Sequence, residues 1–217
     1  MSFHPDTHGA FHLMRHGATE YNLRGLRCGG DLDVELTDLG RHQAREAANR
    51  VREMQLGVRL IVSSALVRAR ETASIVSDAL GGLPILIEPL LNERRLGEWN
   101  GEPVAATEAL LRSHVIPPGG ETEQAFMWRI ARGLEVLVPK LAHQPLVVGS
   151  SGIGRVLHTL LGGVGRLRLA NAEIVRFRVE RSIFPLTIPI AMPKHSTAPM
   201  SPQNESERLH PSDEHLS

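Results

Sequence analysis

The sequence has a single cysteine, Cys28, no net charge and no long hydrophobic run. One cysteine excludes an internal disulfide and any metal site built from several cysteines. Lysine plus arginine and aspartate plus glutamate balance at 24 each, so the chain has no bulk positive field for nucleic acid or an anionic membrane. No apolar stretch reaches the length of a membrane span, and the start MSFHPDTHGA has neither the basic nor the apolar part of a signal peptide. We therefore expect a cytoplasmic protein without nucleic-acid or membrane partners.

The rest of the composition is that of an ordinary globular protein. Its 217 residues are enough for one sizeable domain, and 41% of them are hydrophobic. We predict a domain over residues 11–184, preceded by a flexible N-terminus over 1–10. Residues 185–217 are rich in proline, serine and histidine without periodicity, so we expect a disordered tail there. Nothing in the pattern specifies an oligomeric state.

Strand-like and helix-like segments alternate along the predicted domain. Short apolar or β-branched runs predict strands at 11–17, 59–64, 84–91 (a strand, or a strand plus a turn), 145–150 and 173–179. Helical spacing of apolar residues predicts helices between Thr37 and Gly57, at 66–80, at 125–137 and at 152–163. Thr37 is expected to cap the first helix, Pro139 to kink or end the third, and residues 101–121 to be irregular. The alternation predicts an α/β fold, a three-layer sandwich whose mostly parallel sheet has helices on both faces.

Three segments, RHG (15–17), SS (63–64) and GSS (149–151), follow predicted strands directly. In open parallel sheets, ligands bind outside the carboxyl ends of the strands. We therefore expect these three segments to meet at one site.

Residues 147–155 read VVGSSGIGR, which is typical of a strand leading into a phosphate-binding loop at a helix start. The loop resembles the cofactor loop of short-chain dehydrogenases. In those enzymes most of the nucleotide-binding sheet follows the loop, whereas only 63 residues follow Gly154 here. They also need a tyrosine four residues before a lysine, and the one tyrosine, Tyr21, lies upstream without such a lysine. The context therefore excludes a dinucleotide site.

The segment LMRHGATEYN (13–22) carries the strongest chemical signal. The guanidinium of Arg15 offers a rigid fork of donors to phosphoryl oxygens. The imidazole of His16, when neutral, can attack phosphorus and form a phosphohistidine. Gly17 leaves room for a substrate beside them.

Further motifs follow in the order of a known family: GLRCGGDLDVELTDLG (25–40), SSALVRARETASIV (63–76), LNERRLGEWNG (91–101) and PGGETEQAFMWR (118–129). Together with the arginine–histidine–glycine strand end, they resemble the motifs of the histidine phosphatase superfamily, also called the phosphoglycerate mutase-like family. The resemblance covers roughly residues 11–180 and rests on several ordered motifs at matching spacing. It implies the fold of that family and a phosphatase-type activity.

The resemblance also implies a role for each matching residue. His16 would be the phosphorylated nucleophile, and Arg15 and Arg68 would hold the phosphoryl oxygens. Glu93 would protonate the leaving oxygen and then act as the base for water. The substrate-binding residues would be Asn22, Thr19, Gly30, Ser150 and Ser151. The reaction would need no cofactor and no metal, and its substrate would be a small phosphorylated metabolite.

Three further arginines, Arg70, Arg94 and Arg95, lie near these motifs. We expect them to be surface charges. An alternative for Arg94 or Arg95 is contact with an acidic substrate.

The chain departs from the family pattern at the fourth strand end, where Ser150 stands at the position of a second active-site histidine. The helix after Ser151 is still expected to aim backbone N–H groups at an anion. His143 and His158 are poor replacements by spacing, and we expect them to be surface or packing residues. Losing one preorganised donor costs ~10²–10³ in rate, so we expect an impaired phosphomonoesterase.

Three alternatives stay open at this point. The first is a pseudophosphatase that binds a phosphorylated ligand or partner without turnover. The second is a phosphoglycerate mutase, which is less favoured because residues 101–121 form only a short cover and hydrolysis is the natural fate of an exposed intermediate. The third is a structural protein that works through the tail over 185–217.

Overall fold

A five-stranded sheet organises residues 7–180, which are the residues that the computed structural model describes. Its strands are β1 (Thr7–Arg15), β2 (Ile61–Ser63), β3 (Ile85–Ile87), β4 (Leu146–Gly149) and β5 (Ile174–Glu180). Their spatial order is β3-β2-β4-β1-β5. Neighbours among β1 to β4 are parallel, and β5 pairs antiparallel with β1. The predicted α/β fold with a mostly parallel sheet is confirmed.

Helices connect the strands and cover the sheet. They are α1 (Glu20–Leu23), α2 (Asp38–Glu53), α3 (Val67–Ala79), α4 (Val104–Arg112), α5 (Glu123–Leu137) and α6 (Ser151–Leu160). Short 3-10 turns lie at Pro89–Leu91, Gly97–Trp99 and Val138–His143. Within residues 7–180, no helix combines the length and the apolar character that crossing a bilayer requires.

Two hydrophobic clusters lie on opposite faces of the sheet and make the fold three-layered. Alternation along β1 sends Phe11 and Leu13 to one face and Met14 to the other. Small residues allow α2 and α3 to pack closely on the face of Met14. That cluster includes Ala47, Ala48, Val51, Ile61, Ala69, Ala73, Val76 and Val148. Helices α5 and α6 cover the other face, with Phe126, Ile130, Leu134, Ile153 and Val156.

Two predicted helix boundaries are confirmed by their hydrogen bonds and geometry. The Thr37 hydroxyl accepts from the Gly40 N–H at the start of α2. Helix α5 ends at Leu137, where the chain tightens into the 3-10 turn that contains Pro139. Proline has no N–H to continue the α-helical ladder, so the change of helix type follows from the residue.

The structure also differs from the prediction in two places. Residues 101–121 were expected to be irregular, but Val104–Arg112 form helix α4, because the VAATEALLR run consists largely of good helix formers. Strand β1 begins at Thr7, so the segment expected to be flexible over 1–10 contributes its last four residues to the sheet. The predicted tail over 185–217 lies outside the described residues.

Candidate active site

The carboxyl ends of the parallel strands open into one cavity of about 510 Å³. Arg15 ends β1, Ser150 follows β4, and Glu93 lies six residues after β3. The cavity brings together six of the nine residues predicted for the site: Arg15, His16, Asn22, Glu93, Ser150 and Ser151.

His16 is held by backbone groups in a defined tautomer. Its backbone N–H donates to the Gly149 carbonyl at 2.8 Å, and its Nδ1 lies 2.8 Å from the Gly17 carbonyl oxygen. Because a carbonyl oxygen only accepts, Nδ1 carries the proton and Nε2 keeps its lone pair. Burial lowers the pKa of His16 well below its usual value, and the charges of Arg68 and Arg15 lower it further. The imidazole is therefore neutral at neutral pH and chemically able to act as a nucleophile.

Two glycines allow the turn after His16 to pack against the start of α2. A Cβ on Gly17 would lie 2.2 Å from the Gly40 carbonyl oxygen, and one on Gly40 would lie 2.1 Å from the Ala18 carbonyl oxygen. The Gly17 N–H also donates to the Thr72 hydroxyl at 3.1 Å. This close backbone approach fixes the strand end that carries His16.

Arg15 and Arg68 are both held by carbonyl oxygens, but they occupy different places. Arg15 lines the cavity and donates from Nη1 to the Leu169 carbonyl at 2.7 Å. Arg68 is 1% exposed, lies outside the cavity lining, and donates to the carbonyls of Leu32 and Gly29 at 3.0 Å each. The buried Nε of each guanidinium has no hydrogen-bond partner within the described residues. Both side chains are thus fixed and keep an unused donor.

The carboxylate of Glu93 lies at the N-terminus of α6. Its Oε2 accepts from the Gly152 N–H at 2.9 Å, and its Oε1 accepts from the Arg94 N–H at 2.7 Å. A Cβ on Gly152 would lie only 2.1 Å from Oε1, so the approach requires glycine. Burial lowers the pKa of Arg15, and the nearby charge of Glu93 opposes that shift. The expectation that this helix start aims its N–H groups at a substrate anion is wrong for Gly152, because Glu93 already binds there.

The remaining polar residues of the cavity differ in how their side chains are used. Ser150 is 4% exposed, and its Oγ has no hydrogen-bond partner within residues 7–180. The Ser151 hydroxyl accepts weakly from the Leu169 N–H at 3.4 Å. The Oδ1 of Asn22 accepts from the Asn171 amide at 3.0 Å, so its own amide N–H groups are the part suited to an anion.

Thr19 and Gly30 lie outside the cavity lining. Thr19 is fully buried, and its hydroxyl accepts from the Asn22 N–H at 3.3 Å in a capping box at α1. The Gly30 N–H donates to the Arg94 carbonyl at 2.8 Å, and a Cβ there would lie 2.1 Å from the Glu93 carbonyl oxygen. The structure gives both residues a supporting position behind Asn22 and Glu93.

Arg94 corrects the expectation of a surface charge. It is 4% exposed, lines the cavity, and forms an ion pair with Glu123 at 2.8 Å. Its Nε donates to the Glu121 carbonyl at 2.8 Å, because the chain entering α5 folds over it. Arg70 and Arg95 are exposed, as expected.

Asn171 is a site residue that the sequence reasoning missed. Its amide donates to the His16 carbonyl oxygen and to the Asn22 Oδ1, at 3.0 Å each. The contact joins the loop before β5 to the end of β1, and no local pattern in the sequence marks it.

The outer wall of the cavity carries a cluster of charged residues around Glu108 of α4. Its Oε2 lies 2.8 Å from Arg27. Its Oε1 lies 2.7 Å from both Arg166 and Arg168 and 3.2 Å from Arg112. Burial would raise the pKa of Glu108, but the hydrogen bond from Arg27 and the charge of Arg166 outweigh it and lower that pKa to about 2. We call these five residues the Glu108 cluster.

The other histidines considered from the sequence lie away from the cavity lining. His143 is exposed, and His158 Nε2 lies 3.1 Å from the Val164 carbonyl oxygen. Within the described part of the chain, no group of three or more histidine, cysteine, aspartate or glutamate residues could hold a metal ion.

Comparison with known proteins gives the same family along most of the chain. The model of the histidine phosphatase superfamily, branch 1, matches residues 11–186. The chain is 47% identical over 89 residues to a glucosyl-3-phosphoglycerate phosphatase of Mycolicibacterium vanbaalenii, covering 41% of this chain and 38% of that protein. It is 32% identical over 187 residues to a probable phosphoglycerate mutase GpmB of Enterobacter, covering 79% of this chain and 85% of that protein.

Solved structures agree with these sequence matches. A mycobacterial glucosyl-3-phosphoglycerate phosphatase in complex with VO3 aligns with a TM-score of 0.66 at 28% identity, covering 77% of this chain and 90% of that one. The protein TTHB049 from Thermus thermophilus aligns with a TM-score of 0.61 at 31% identity, covering 77% of this chain and 92% of that one.

Proposed function

Because the chain belongs to the histidine phosphatase superfamily, we propose that it hydrolyses phosphomonoesters through a phosphohistidine intermediate on His16. The phosphatase among its relatives supports hydrolysis. The substrate would be a small phosphorylated metabolite in the cytoplasm. No metal or cofactor takes part in the proposed steps.

In the first step, Nε2 of His16 attacks phosphorus, a nitrogen–phosphorus bond forms, and the ester phosphorus–oxygen bond breaks. A protonated Glu93 gives its proton to the leaving oxygen, so that an alcohol departs. The proton on Nδ1 stays hydrogen-bonded to the Gly17 carbonyl, which stabilises the positive charge that the imidazole gains.

In the second step, a water oxygen attacks phosphorus and the nitrogen–phosphorus bond breaks. Glu93, now ionised, takes a proton from that water and is ready to act as an acid again. Inorganic phosphate leaves and His16 returns to its neutral form. One water is consumed for each ester bond broken.

The observation that carries the proposal is a set of unused donors around a neutral histidine. Arg15 and Ser150 line the cavity, and the Nε atom of Arg15 and the Ser150 hydroxyl are buried without hydrogen-bond partners within the described residues. A buried polar group left unpaired costs about 1–3 kcal/mol, so such groups call for a ligand. A phosphoryl group bonded to His16 would supply the acceptor oxygens that these donors lack.

Ser150 is proposed to stand in for the second histidine of the family. Its hydroxyl can donate one hydrogen bond to a phosphoryl oxygen, but it carries no positive charge. We therefore propose a rate ~10²–10³ below that of an enzyme with the full set of donors. The pseudophosphatase alternative rests on the same substitution, and a mutase is less favoured because the cover formed by α4 is short.

Release of inorganic phosphate from a broad panel of phosphomonoesters, with a chelator present, tests the proposal. Wild type is compared with His16→Ala, Ser150→His and, as a control outside the cavity, His143→Ala. We expect turnover by wild type and by His143→Ala, loss in His16→Ala, and a larger rate in Ser150→His. Mass spectrometry of rapidly quenched protein should find phosphate on His16.

Two outcomes would contradict the proposal. Turnover that persists in His16→Ala would exclude the phosphohistidine. Absence of turnover in both wild type and Ser150→His, with vanadate binding retained, would favour the pseudophosphatase.

A further inference from the structure

The Glu108 cluster has more positive charge than its own contacts neutralise. One carboxylate pairs with four guanidinium groups, Arg27, Arg112, Arg166 and Arg168, and all five side chains line the cavity. The pairing leaves three positive charges in excess at this wall. Clefts lined by charge of one sign concentrate ligands of the opposite sign.

The side chains of the Glu108 cluster differ in how exposed they are and therefore in how freely they can move. The side chains of Arg27 and Glu108 are 16% and 17% exposed, and Arg27 also donates from Nε to the Thr107 hydroxyl at 2.8 Å. The side chains of Arg166 and Arg168 are 40% and 64% exposed and lie on the loop between α6 and β5. These two arginines can therefore turn from Glu108 to a ligand without disturbing a packed core.

The cavity is large enough for a ligand to reach both ends. Its volume of about 510 Å³ is in the range of sites that take whole small molecules. A phosphoryl group on His16 would fill only the inner end, where Arg15 and Ser150 lie. The organic part of the ester would then extend toward α4 and the Glu108 cluster.

We propose that Arg166 and Arg168, positioned by Glu108, form a second anion subsite that binds an acidic group of the phosphomonoester remote from its phosphate. The inference deepens the proposed function and rests on it, because the phosphomonoester is the substrate of that proposed reaction. The acidic group is a carboxylate or a second phosphate, because a guanidinium fork pairs with either.

Binding and turnover of matched ligands test the subsite separately. Calorimetry compares ω-carboxyalkyl phosphonates of increasing chain length with their ω-carboxamides, which have the same shape but no second charge. The corresponding phosphate esters give the ratio of kcat/KM for acid over amide, and alkanediol bisphosphates against alkyl monophosphates test a second phosphate. Each ratio is taken within one protein variant, so a general loss of activity cancels.

The best chain length should favour the acid over the amide by about 10-fold, the scale of a partly exposed charge-assisted hydrogen bond. We expect this preference to fall toward one in the Arg166→Ala/Arg168→Ala double variant and with added salt. Arg132→Ala removes an exposed arginine of α5 that pairs with Glu135, and it should keep the preference. Thermal unfolding checks that all variants are folded.

Equal binding of acid and amide at every chain length would overturn the inference, as would a preference that survives in the double variant. A preference in binding without turnover of any ester would leave the subsite standing and count against the proposed function. Turnover of every ester with equal kcat/KM for acid and amide would support the proposed function and overturn the subsite.

Discussion

Substituting Gly152 by alanine tests whether the start of α6 positions Glu93 for proton transfer. The new Cβ would lie 2.1 Å from Glu93 Oε1 and 2.7 Å from Oε2, so the carboxylate has to move. Movement would break the 2.9 Å hydrogen bond from the Gly152 N–H. Displacement of a catalytic group by about 1 Å can cost ~10² in rate. We therefore expect kcat/KM to fall about 100-fold, or about 2.7 kcal/mol in activation free energy.

The same substitution should change stability little. The atoms that the Cβ meets belong to the end of the flexible Glu93 side chain, which can swing away. Alanine is also favoured over glycine within a helix by up to about 1 kcal/mol. Urea unfolding is expected to give a free energy of unfolding within about 1 kcal/mol of wild type.

A double-mutant cycle with Glu93→Gln identifies the route of the effect. Glutamine cannot transfer the proton, so Gly152→Ala should cost almost nothing more in that background. An unchanged rate in the single variant would refute the reasoning, and so would an equal loss in both backgrounds, because independent effects add.

Three further predictions concern stability. The pKa of the buried His16 is lowered, so below pH about 6.5 the unfolded chain binds a proton that the folded protein does not. The free energy of unfolding should therefore fall as the pH drops, and it should fall less steeply in His16→Ala. In urea unfolding, Arg94→Ala should destabilise by about 2 kcal/mol, because it removes a buried ion pair and leaves Glu123 with only the partly exposed Arg155 as a partner, whereas the exposed Arg95→Ala should stay within about 0.5 kcal/mol. Thr19→Ala should lose about 1 kcal/mol of stability as a cap and keep its KM; a raised KM with unchanged stability would instead make Thr19 a substrate-binding residue.

The alternation of strands and helices was predictable because burial spaces apolar residues differently along a strand and along a helix. The run PLVVG reads as a buried strand, and residues 146–148 are buried completely. Helix α4 escaped prediction because it has only nine residues, begins after Pro103 without a side-chain cap, and is flanked by glycine and proline. The antiparallel direction of β5 could not be predicted, since a strand's period is the same in either direction.

Site residues at strand ends were predictable because parallel strands bring their carboxyl ends to one edge. That argument, with the family motifs, selected Arg15, His16 and Ser150. It could not predict the burial of Arg94, which depends on Glu123, 29 residues further along. It could not find Asn171 either, because an amide that reaches a backbone carbonyl 155 residues away needs no motif around it.

The different tasks proposed for His16 and Glu93 follow from their different neighbours. Burial and two arginine charges disfavour the imidazolium ion, so the His16 nitrogen is available for attack. Glu93 is oriented by two backbone N–H groups, of Arg94 and Gly152, which hold its carboxylate at the cavity wall. One group can thus make and break a bond to phosphorus while the other carries a proton between the leaving oxygen and water. Arg68 does not line the cavity, but its charge helps to lower the pKa of His16. Gly152 has no side chain, and this allows the Glu93 carboxylate to approach the start of α6. Residues outside the reacting pair therefore help to set the two different roles.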